Sequence, residues 1–271
     1  MALCISYRKA STLPVHFPGL VPESIGEASL AEIEQLPILH GRYQVPLAEL
    51  FEVTGDASDM RLEFHGDFSH AHSIGAEMTE GTIHVNGNAG HNVGIRMRGG
   101  EIHISGDAGD SLGCEMIGGT IRVGGSAGNL VGGARSGSRR GMAGGTILIG
   151  GAVGDQAGYR MRRGLIAIGG SAGKLTGYNM LAGTIVVLGK CGARAGAGMK
   201  RGTLFLLGES AEELLPTYRS AGTTNAAVLP LIGRHLQSLG FIENMQPFEQ
   251  NYELFHGDFV TLGRGEILLS S

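Results

Sequence analysis

The sequence predicts an all-β protein: a right-handed parallel β-helix, a single-stranded solenoid of about seven 19-residue coils with small α/β capping flanks. Three observations predict it. Glycine accounts for 48 of 271 residues, and 37 of these lie within residues 75–208. Seven of the ten methionines recur in that block at intervals of 19, 19, 26, 19, 19 and 19 residues. Each begins a copy of M-x-x-G-x-[IL]-x-[IV]-x-G, with Leu206 at the [IV] position of the seventh copy, and recurrence at a fixed period is typical of repeat architectures.

Each column of the repeat has a physical meaning. Ile83 and Val85 are two residues apart and therefore point to the same face of a strand, and equivalent pairs occur in all seven copies. The residue between them varies in character, as expected for an outward face. Nineteen residues at about 3.3 Å each suffice for a three-sided coil. A left-handed hexapeptide helix would instead need a period that is a multiple of six.

The glycine distribution divides the chain into three parts. Residues 1–74 are predicted to be an N-terminal cap with degenerate first coils, residues 75–208 the seven-repeat β-helix, and residues 209–271 a C-terminal cap. Caps are expected because an exposed terminal coil is an open sheet edge.

Shorter signals mark elements within the flanks. FEVTG (51–55) and LEFHG (62–66) carry the strand–glycine signature without the methionine. Ser29 and Glu32 form a capping box before a short helix, and residues 230–240 have helical apolar spacing. The recurrence of FHGDF at 255–259 indicates a further strand near the C-terminus.

Charge and composition exclude several classes of function. The net charge of −4 combines +7 in residues 75–208 with −11 in the flanks. No apolar run approaches the ~20 residues needed to cross a membrane, and the N-terminus lacks a stretch of signal-peptide length. A pI of about 6.2 and the lack of a nucleic-acid-recognition motif in the sequence argue against nucleic-acid binding. We expect a cytoplasmic protein with no membrane partner.

Candidates for catalysis are few. The densest group of possible metal ligands is His65, Asp67, His70 and His72, but its spacing matches no ligand motif. Surface or turn residues are the favoured interpretation, and a stand-alone metal-dependent hydrolase using the His65–His72 cluster is an alternative. Nucleotide-binding loops do not occur in the sequence. We therefore assign no catalytic residue, bound cofactor or metal ligand to this chain.

Basic residues are the more informative polar group. Residues beside an inward methionine should point outward, and the seven-residue insertion in the fourth repeat adds further arginines. The candidate partner or ligand contacts are Arg96, Arg98, Arg135, Arg139, Arg140, Arg160, Arg162 and Lys200. Two interpretations stay open: scattered solubilising charge, or a strip that meets an acidic partner or poly-anionic ligand. Arginine suits the second because its planar fork binds carboxylates in bidentate fashion.

Written as [GR]-x-x-M-x-x-G-x-[IL]-x-[IV]-x-G, the repeat resembles that of the C-subunit family of formylmethanofuran dehydrogenase. That family includes the C subunit of the bacterial formyltransferase/hydrolase complex, and the repeat is also similar to the C-terminal domain of the glutamate synthase large subunit. The likeness is dense over residues 75–208 and looser in the flanks. The fourth copy departs from it by having Arg139 where the others have glycine.

The resemblance implies a non-catalytic structural subunit of a complex that serves formaldehyde oxidation. Such a complex moves a formyl group between tetrahydromethanopterin and a methanofuran-type carrier and hydrolyses it to formate. The implied partners are amidohydrolase-like, dehydrogenase-B-like and formyltransferase subunits, and the basic strip would contact an acidic partner or a glutamate-rich carrier tail. The alternative is the C subunit of a tungsten or molybdenum formylmethanofuran dehydrogenase. A composition of 17 Arg to 4 Lys is typical of GC-rich bacterial genomes and favours the first.

Overall fold

The computed structural model describes residues 2–8, 11–208 and 214–270. In the N-terminal flank, its elements are β1 (Leu3–Tyr7), β2 (Val15–His16), α1 (Pro22–Ile25), α2 (Leu30–Glu34), β3 (Pro37–His40), β4 (Tyr43–Pro46), α3 (Leu47–Leu50), β5 (Phe51–Thr54), β6 (Arg61–His65) and β7 (Ala71–His72). The repeats contribute β8 (Thr82–Asn86), β9 (Glu101–Ile104), β10 (Thr120–Val123), β11 (Thr146–Ile149), β12 (Leu165–Ile168), β13 (Thr184–Val187) and β14 (Arg201–Leu206).

The C-terminal flank contains β15 (Arg219–Thr224), α4 (Val228–Ser238), a 3-10 turn (Gln246–Phe248), β16 (Tyr252–Gly257) and β17 (Arg264–Leu269). The predicted short helix after the capping box is confirmed, since Ser29 caps α2 and the Glu32 carboxylate accepts the Ser29 N–H at 2.8 Å. The helical spacing at 230–240 is likewise confirmed by α4. No helix in the described ranges combines the length and apolar character needed to span a bilayer.

The strands form two sheets. The larger has thirteen strands in the order β15-β16-β17-β14-β13-β12-β11-β10-β9-β8-β6-β1-β5. Its centre, from β17 to β1, is parallel, whereas β5 at one end and β16 and β15 at the other are antiparallel to their neighbours. The smaller sheet has the order β4-β3-β2-β7. Strands from both flanks therefore extend the sheet that the repeats begin.

The predicted single-stranded β-helix of about seven coils is wrong. The strands form two sheets of mixed direction, and each repeat supplies one strand of four to six residues. Outside that strand, neighbouring repeats are joined by backbone hydrogen bonds between turns and by isolated bridges, such as Ala89 with Ala108. The physical reason is that apolar residues occupy alternate positions, as a strand requires, only in the x-[IL]-x-[IV] segment of each repeat. The rest of each repeat is rich in glycine and other small residues, which disfavour strands. The protein is mostly β with few helices.

The repeat columns stack in register and form the core. Ile121 lies opposite Ile102 on one side and Ile147 on the other, and all seven repeat methionines are fully buried. The glycine three residues after each methionine is required at this site. At Gly119, for example, φ is +87°, and an added Cβ would lie 2.7 Å from Met97 Cε. The buried methionine column is therefore confirmed.

Helix α4 covers part of the sheet's outer face. Leu148, Ala167, Val186 and Phe205 occupy the column between the paired apolar residues, and all are buried in a cluster with the apolar face of α4. This column was expected to face solvent. In the earlier repeats it holds polar residues, including Arg122, which donates to the Leu239 carbonyl at the end of α4 at 2.7 Å. The change from polar to apolar along the column follows the area that the helix covers.

Candidate functional site

Two columns of side chains flank the buried methionines, and most of the predicted basic contacts lie in them. Backbone hydrogen bonds join the residue before the methionine to the next repeat: the Arg160 N–H donates to the Tyr178 carbonyl at 3.0 Å. The residue after the methionine is joined to the preceding repeat, since the Lys200 N–H donates to the Met180 carbonyl at 2.8 Å. Repeat spacing thus brings residues 19 or more positions apart to one surface.

The backbone conformation before the methionines is unusual. Arg96 and Arg160 have φ of +54° and +55°, and Asn179 at the equivalent place has +53°. A non-glycine residue with positive φ is uncommon and costs free energy, so neighbouring repeats must hold it in place. The repeat pattern gave no sign of this conformation, because residue type in the column varies freely.

Three of the eight candidate contacts line one cavity of about 250 Å³. We call it the basic groove, and it consists of Arg139, Arg160, Asn179, Leu181 and Lys200. Among the described residues, none that lines it carries a carboxylate. Arg139 comes from the insertion and Lys200 from the last repeat, so the groove joins segments distant in sequence. Its positive charges are free to face an anion.

The Arg160 side chain is held in position. Its Nη1 donates to the Ser138 carbonyl of the insertion at 2.6 Å, and its guanidinium lies 5.1 Å from the centre of the Tyr159 ring. Tyr159 in turn stacks on Tyr178, with ring centres 5.4 Å apart and planes 14° apart. An arginine fixed in this way loses less side-chain entropy when it binds a carboxylate.

A second cavity, of about 520 Å³, receives Arg96 and Arg135 but is mixed in charge. The Arg96 guanidinium is paired with Glu77, which lines the same cavity. The Glu115 carboxylate accepts the backbone N–H of Arg135 at 3.3 Å. Because Glu77 lines this cavity and already neutralises Arg96, the cavity suits an anion less well than the basic groove does.

The other three candidates stand apart from both cavities. Arg98, Arg140 and Arg162 are exposed and line neither. Arg98 and Arg162 belong to the column after the methionine, with their N–H groups bonded to Met78 and Met142 at 2.8 Å. The eight candidates are therefore divided between two cavities and separate exposed positions rather than gathered in a single site.

The His65–His72 cluster does not come together as a metal site among the described residues. His65 lies on the outer face of β6 beside Glu63, and His70 is exposed. The Asp67 carboxylate accepts the Ser69 N–H at 3.1 Å. The ring of His72 packs between those of His16 and His91, at 5.1 and 4.9 Å. These side chains have different partners and do not converge on one point among the described residues, so the structure does not support the stand-alone hydrolase.

His72 belongs instead to a ladder of hydrogen-bond acceptors. Its Nδ1 accepts the His91 N–H at 2.9 Å, and the Nδ1 of His91 accepts the Asp110 N–H at 2.9 Å. Asp110, Asn129 and Asp155 continue the series, each bonding the N–H of the next repeat at 2.7 to 2.8 Å. These side chains satisfy backbone donors that lack a strand partner. In the sequence, the ladder corresponds to a polar residue that recurs at the same distance before most of the repeat methionines.

Burial keeps the His72 ring neutral. Burial, followed by the neighbouring His91, His16 and His70, lowers the pKa of His72 to about 4. The ring is therefore neutral near pH 7, consistent with an Nδ1 that accepts a hydrogen bond.

Comparisons with known proteins agree over the repeats and, in one case, over the whole chain. The pattern of the GXGXG motif family matches residues 69–218, more than half of the chain. The C subunit of the tungsten-containing formylmethanofuran dehydrogenase 2 of Methanothermobacter marburgensis is 34% identical over 90 residues, which cover 32% of this chain and 33% of that protein. The C subunit of the molybdenum-containing formylmethanofuran dehydrogenase 1 of Methanosarcina barkeri is 34% identical over 87 residues, or 31% and 29% of the two chains. The match spans about a third of these relatives.

A solved structure matches much more completely. A chain of the formyltransferase/hydrolase complex from Methylorubrum extorquens, crystallised with methylofuran, is 33% identical with a TM-score of 0.92, over 99% of each chain. The methionine–glycine repeats and this full-length likeness place the chain in the GXGXG motif family and, within it, in the C-subunit family of formylmethanofuran dehydrogenase.

Proposed function

We propose that the chain is the C subunit of a complex that moves a formyl group between tetrahydromethanopterin and a methanofuran-type carrier and hydrolyses it to formate. The observation that carries this proposal is the full-length match to a chain of a formyltransferase/hydrolase complex, at 33% identity over 99% of both chains. The partners would be the amidohydrolase-like, dehydrogenase-B-like and formyltransferase subunits of such a complex. No likeness confined to the repeats would extend to both flanks in this way.

The C subunit of a formylmethanofuran dehydrogenase is the second candidate. The curated relatives favour it, because they are named as subunits of tungsten- or molybdenum-containing formylmethanofuran dehydrogenases. Their alignments, however, cover about a third of the chain, whereas the match to the formyltransferase/hydrolase complex covers 99%. The hydrolytic complex is therefore the better supported of the two.

The role of this chain within the complex is structural, and the chemistry belongs to other subunits. Support comes from the repeat block, where backbone, methionine column and acceptor ladder all bind one repeat to the next. Residues 1–74 and 209–271 serve as caps of the block 75–208, since strands from both flanks extend its sheet. The boundary after residue 208 adjoins residues 209–213, which lie outside the described part of the chain.

The basic groove contributes a contact for carboxylates, either on an acidic partner surface or on the glutamate-rich tail of a furan carrier. Three cationic side chains converge there, and Arg160 is already oriented by Ser138. Each exposed contact is worth only about 0.2–1 kcal/mol, so several must act together. Arg98, Arg135, Arg140 and Arg162, which are also exposed, add positive charge outside the groove, whereas Arg96 is already paired with Glu77.

Activity measurements test the structural role. The isolated chain should neither transfer formyl groups nor hydrolyse a formylated furan carrier, whereas the assembled complex should do both. Activity in the isolated chain that is lost in His70→Ala would overturn the proposal in favour of the histidine-cluster hydrolase. His70 is a suitable probe because it is exposed, so its replacement leaves the fold intact.

A further inference from the structure

A group of possible metal ligands occupies the outer face of the larger sheet at the N-terminal strand. Strand β1 runs parallel to β6, with Cys4 opposite Glu63. Alternation buries Leu62 and Phe64, so Glu63 and His65 point to the other face, where Cys4 also lies. All three sit on paired strands, and their spacing is fixed by sheet register rather than by a flexible loop.

The ligand atoms converge. The Cys4 Sγ, a Glu63 carboxylate oxygen and a ring nitrogen of His65 all lie within 4.8 Å of one another. In the described residues this is the one group of three or more such side chains with that geometry. Tetrahedral zinc, with bonds of about 2.0–2.3 Å, holds its ligand atoms roughly 3.3–3.8 Å apart. Small side-chain rotations would close the difference without moving either strand.

Neighbouring side chains already orient two of the three ligands. The Arg61 Nε lies 3.3 Å from Glu63 Oε1, which leaves Oε2 towards His65 at 3.2 Å from its Nε2. On the far side of the ring, the Asn86 side-chain amide lies 3.4 Å from His65 Nδ1. If the amide oxygen faces the ring, it would accept a hydrogen bond from the Nδ1–H of His65. The Nε2 lone pair of His65 would then point towards Cys4 and Glu63. Metal-binding histidines usually have such a partner.

We infer that Cys4, Glu63 and His65 form a binding site for a divalent metal ion of the zinc type, with a fourth position open to water. A thiolate, an imidazole and a carboxylate together suit zinc, whereas magnesium and calcium prefer oxygen ligands alone. Binding forms one bond each to sulfur, nitrogen and oxygen and releases the thiol proton to solvent, with no change of oxidation state. The ion would cross-link β1 to β6.

The test uses the full-length chain, freed of any polyhistidine tag, with Zn²⁺ and Co²⁺ as probes. One equivalent of Co²⁺ should bind and give a near-ultraviolet thiolate-to-cobalt charge-transfer band, which Cys4→Ser should abolish. Glu63→Gln and His65→Asn should each weaken zinc binding by more than about tenfold, and Asn86→Ala by roughly 10- to 100-fold. His103→Asn and Glu52→Gln, on the same face outside the cluster, should bind like the parent chain.

A second measurement needs no variant. Zinc should protect Cys4 from alkylation in the parent chain, read by mass spectrometry of the Cys4 peptide. Absence of the charge-transfer band, equal binding by Cys4→Ser, or alkylation of Cys4 at the same rate with and without zinc would each overturn the inference.

Discussion

At the residue scale, the methionine column stabilises the core. Met116 is fully buried between repeats, and Met116→Ala should cost about 2–5 kcal/mol in the free energy of unfolding, the usual range for a core methionine. Urea denaturation followed by circular dichroism measures this.

The adjacent residue provides the control. Ile117 is 49% exposed, so Ile117→Ala should change stability far less. If Met116→Ala unfolded at the same urea concentration as the parent while weakening association with partners, the methionines would form a binding stripe instead.

The acceptor ladder predicts a pH dependence. His72 has a pKa of about 4 in the folded chain, below the ordinary 6.5. Between these values the unfolded chain binds the proton and the folded chain does not, so stability falls as pH drops from 6.5 towards 4. His72→Asn keeps an acceptor, as Asn129 does in the same column, and should reduce this loss. Urea midpoints at pH 7.5 and 5 measure it.

Exposed His70 gives the matched control, since it makes the smallest contribution to lowering the pKa of His72 and His70→Asn should therefore retain most of the parent's pH dependence. Equal loss of stability in His72→Asn and the parent would show that His72 does not titrate as described.

Residue-scale prediction from sequence succeeded where the period determined the environment. The recurring Met116 and Ile121 types could be assigned to the core because each repeats in register. The left-handed backbone of Arg160 and the acceptor role of His72 were missed. Both depend on hydrogen bonds to the next repeat, which residue type alone does not reveal.

At the element scale, helix α4 depends on the sheet face beneath it. Arg122 bonds the carbonyl of Leu239 at the helix end at 2.7 Å, and a bond from a charged donor is worth about 1.5–3 kcal/mol. Arg122→Ala should therefore accelerate hydrogen exchange of the amides in α4 relative to those of β9 and β10. Arg98→Ala, an exposed arginine elsewhere on the repeats, should not. Unchanged exchange in α4 would mean that Arg122 does not anchor the helix.

The existence of α4 could be read from the sequence, but its location could not. The apolar spacing at 230–240 marked a helix close to the observed Val228–Ser238. The sequence predicts that its docking surface, which includes Leu148 and Phe205, faces solvent, because the residue type in that column varies between repeats. In the last four repeats this column holds only apolar residues, and that pattern is the sequence feature that indicates a covered face.

At the scale of the whole molecule, the sequence predicted repeats in parallel register but not the sheets they form. The flanks add antiparallel strands such as β5 and β16, and the turns between repeats form bridges rather than strands. The strands at the sheet edges pair with strands that are distant in the sequence, and the 19-residue period does not indicate which strands pair.

The basic groove predicts that assembly weakens with salt. Replacing Arg139, Arg160 and Lys200 together by glutamine should lower affinity for an acidic partner or carrier and flatten its dependence on ionic strength around ~0.15 M. Titration by calorimetry at low and high salt measures this. Lys174, Lys190 and Arg194 are exposed outside the groove, so their triple glutamine variant controls for net charge. Equal affinity of both variants and the parent at every salt concentration would refute the carboxylate contact.

Purification of the native complex through a tag on this chain tests the central claim most directly, with its protein components identified by mass spectrometry and metals by elemental analysis. We predict that amidohydrolase-like, dehydrogenase-B-like and formyltransferase proteins co-purify in fixed ratio and that the preparation contains neither tungsten nor molybdenum. A chain that elutes alone, or with a protein that holds a tungsten or molybdenum pterin, would contradict the account.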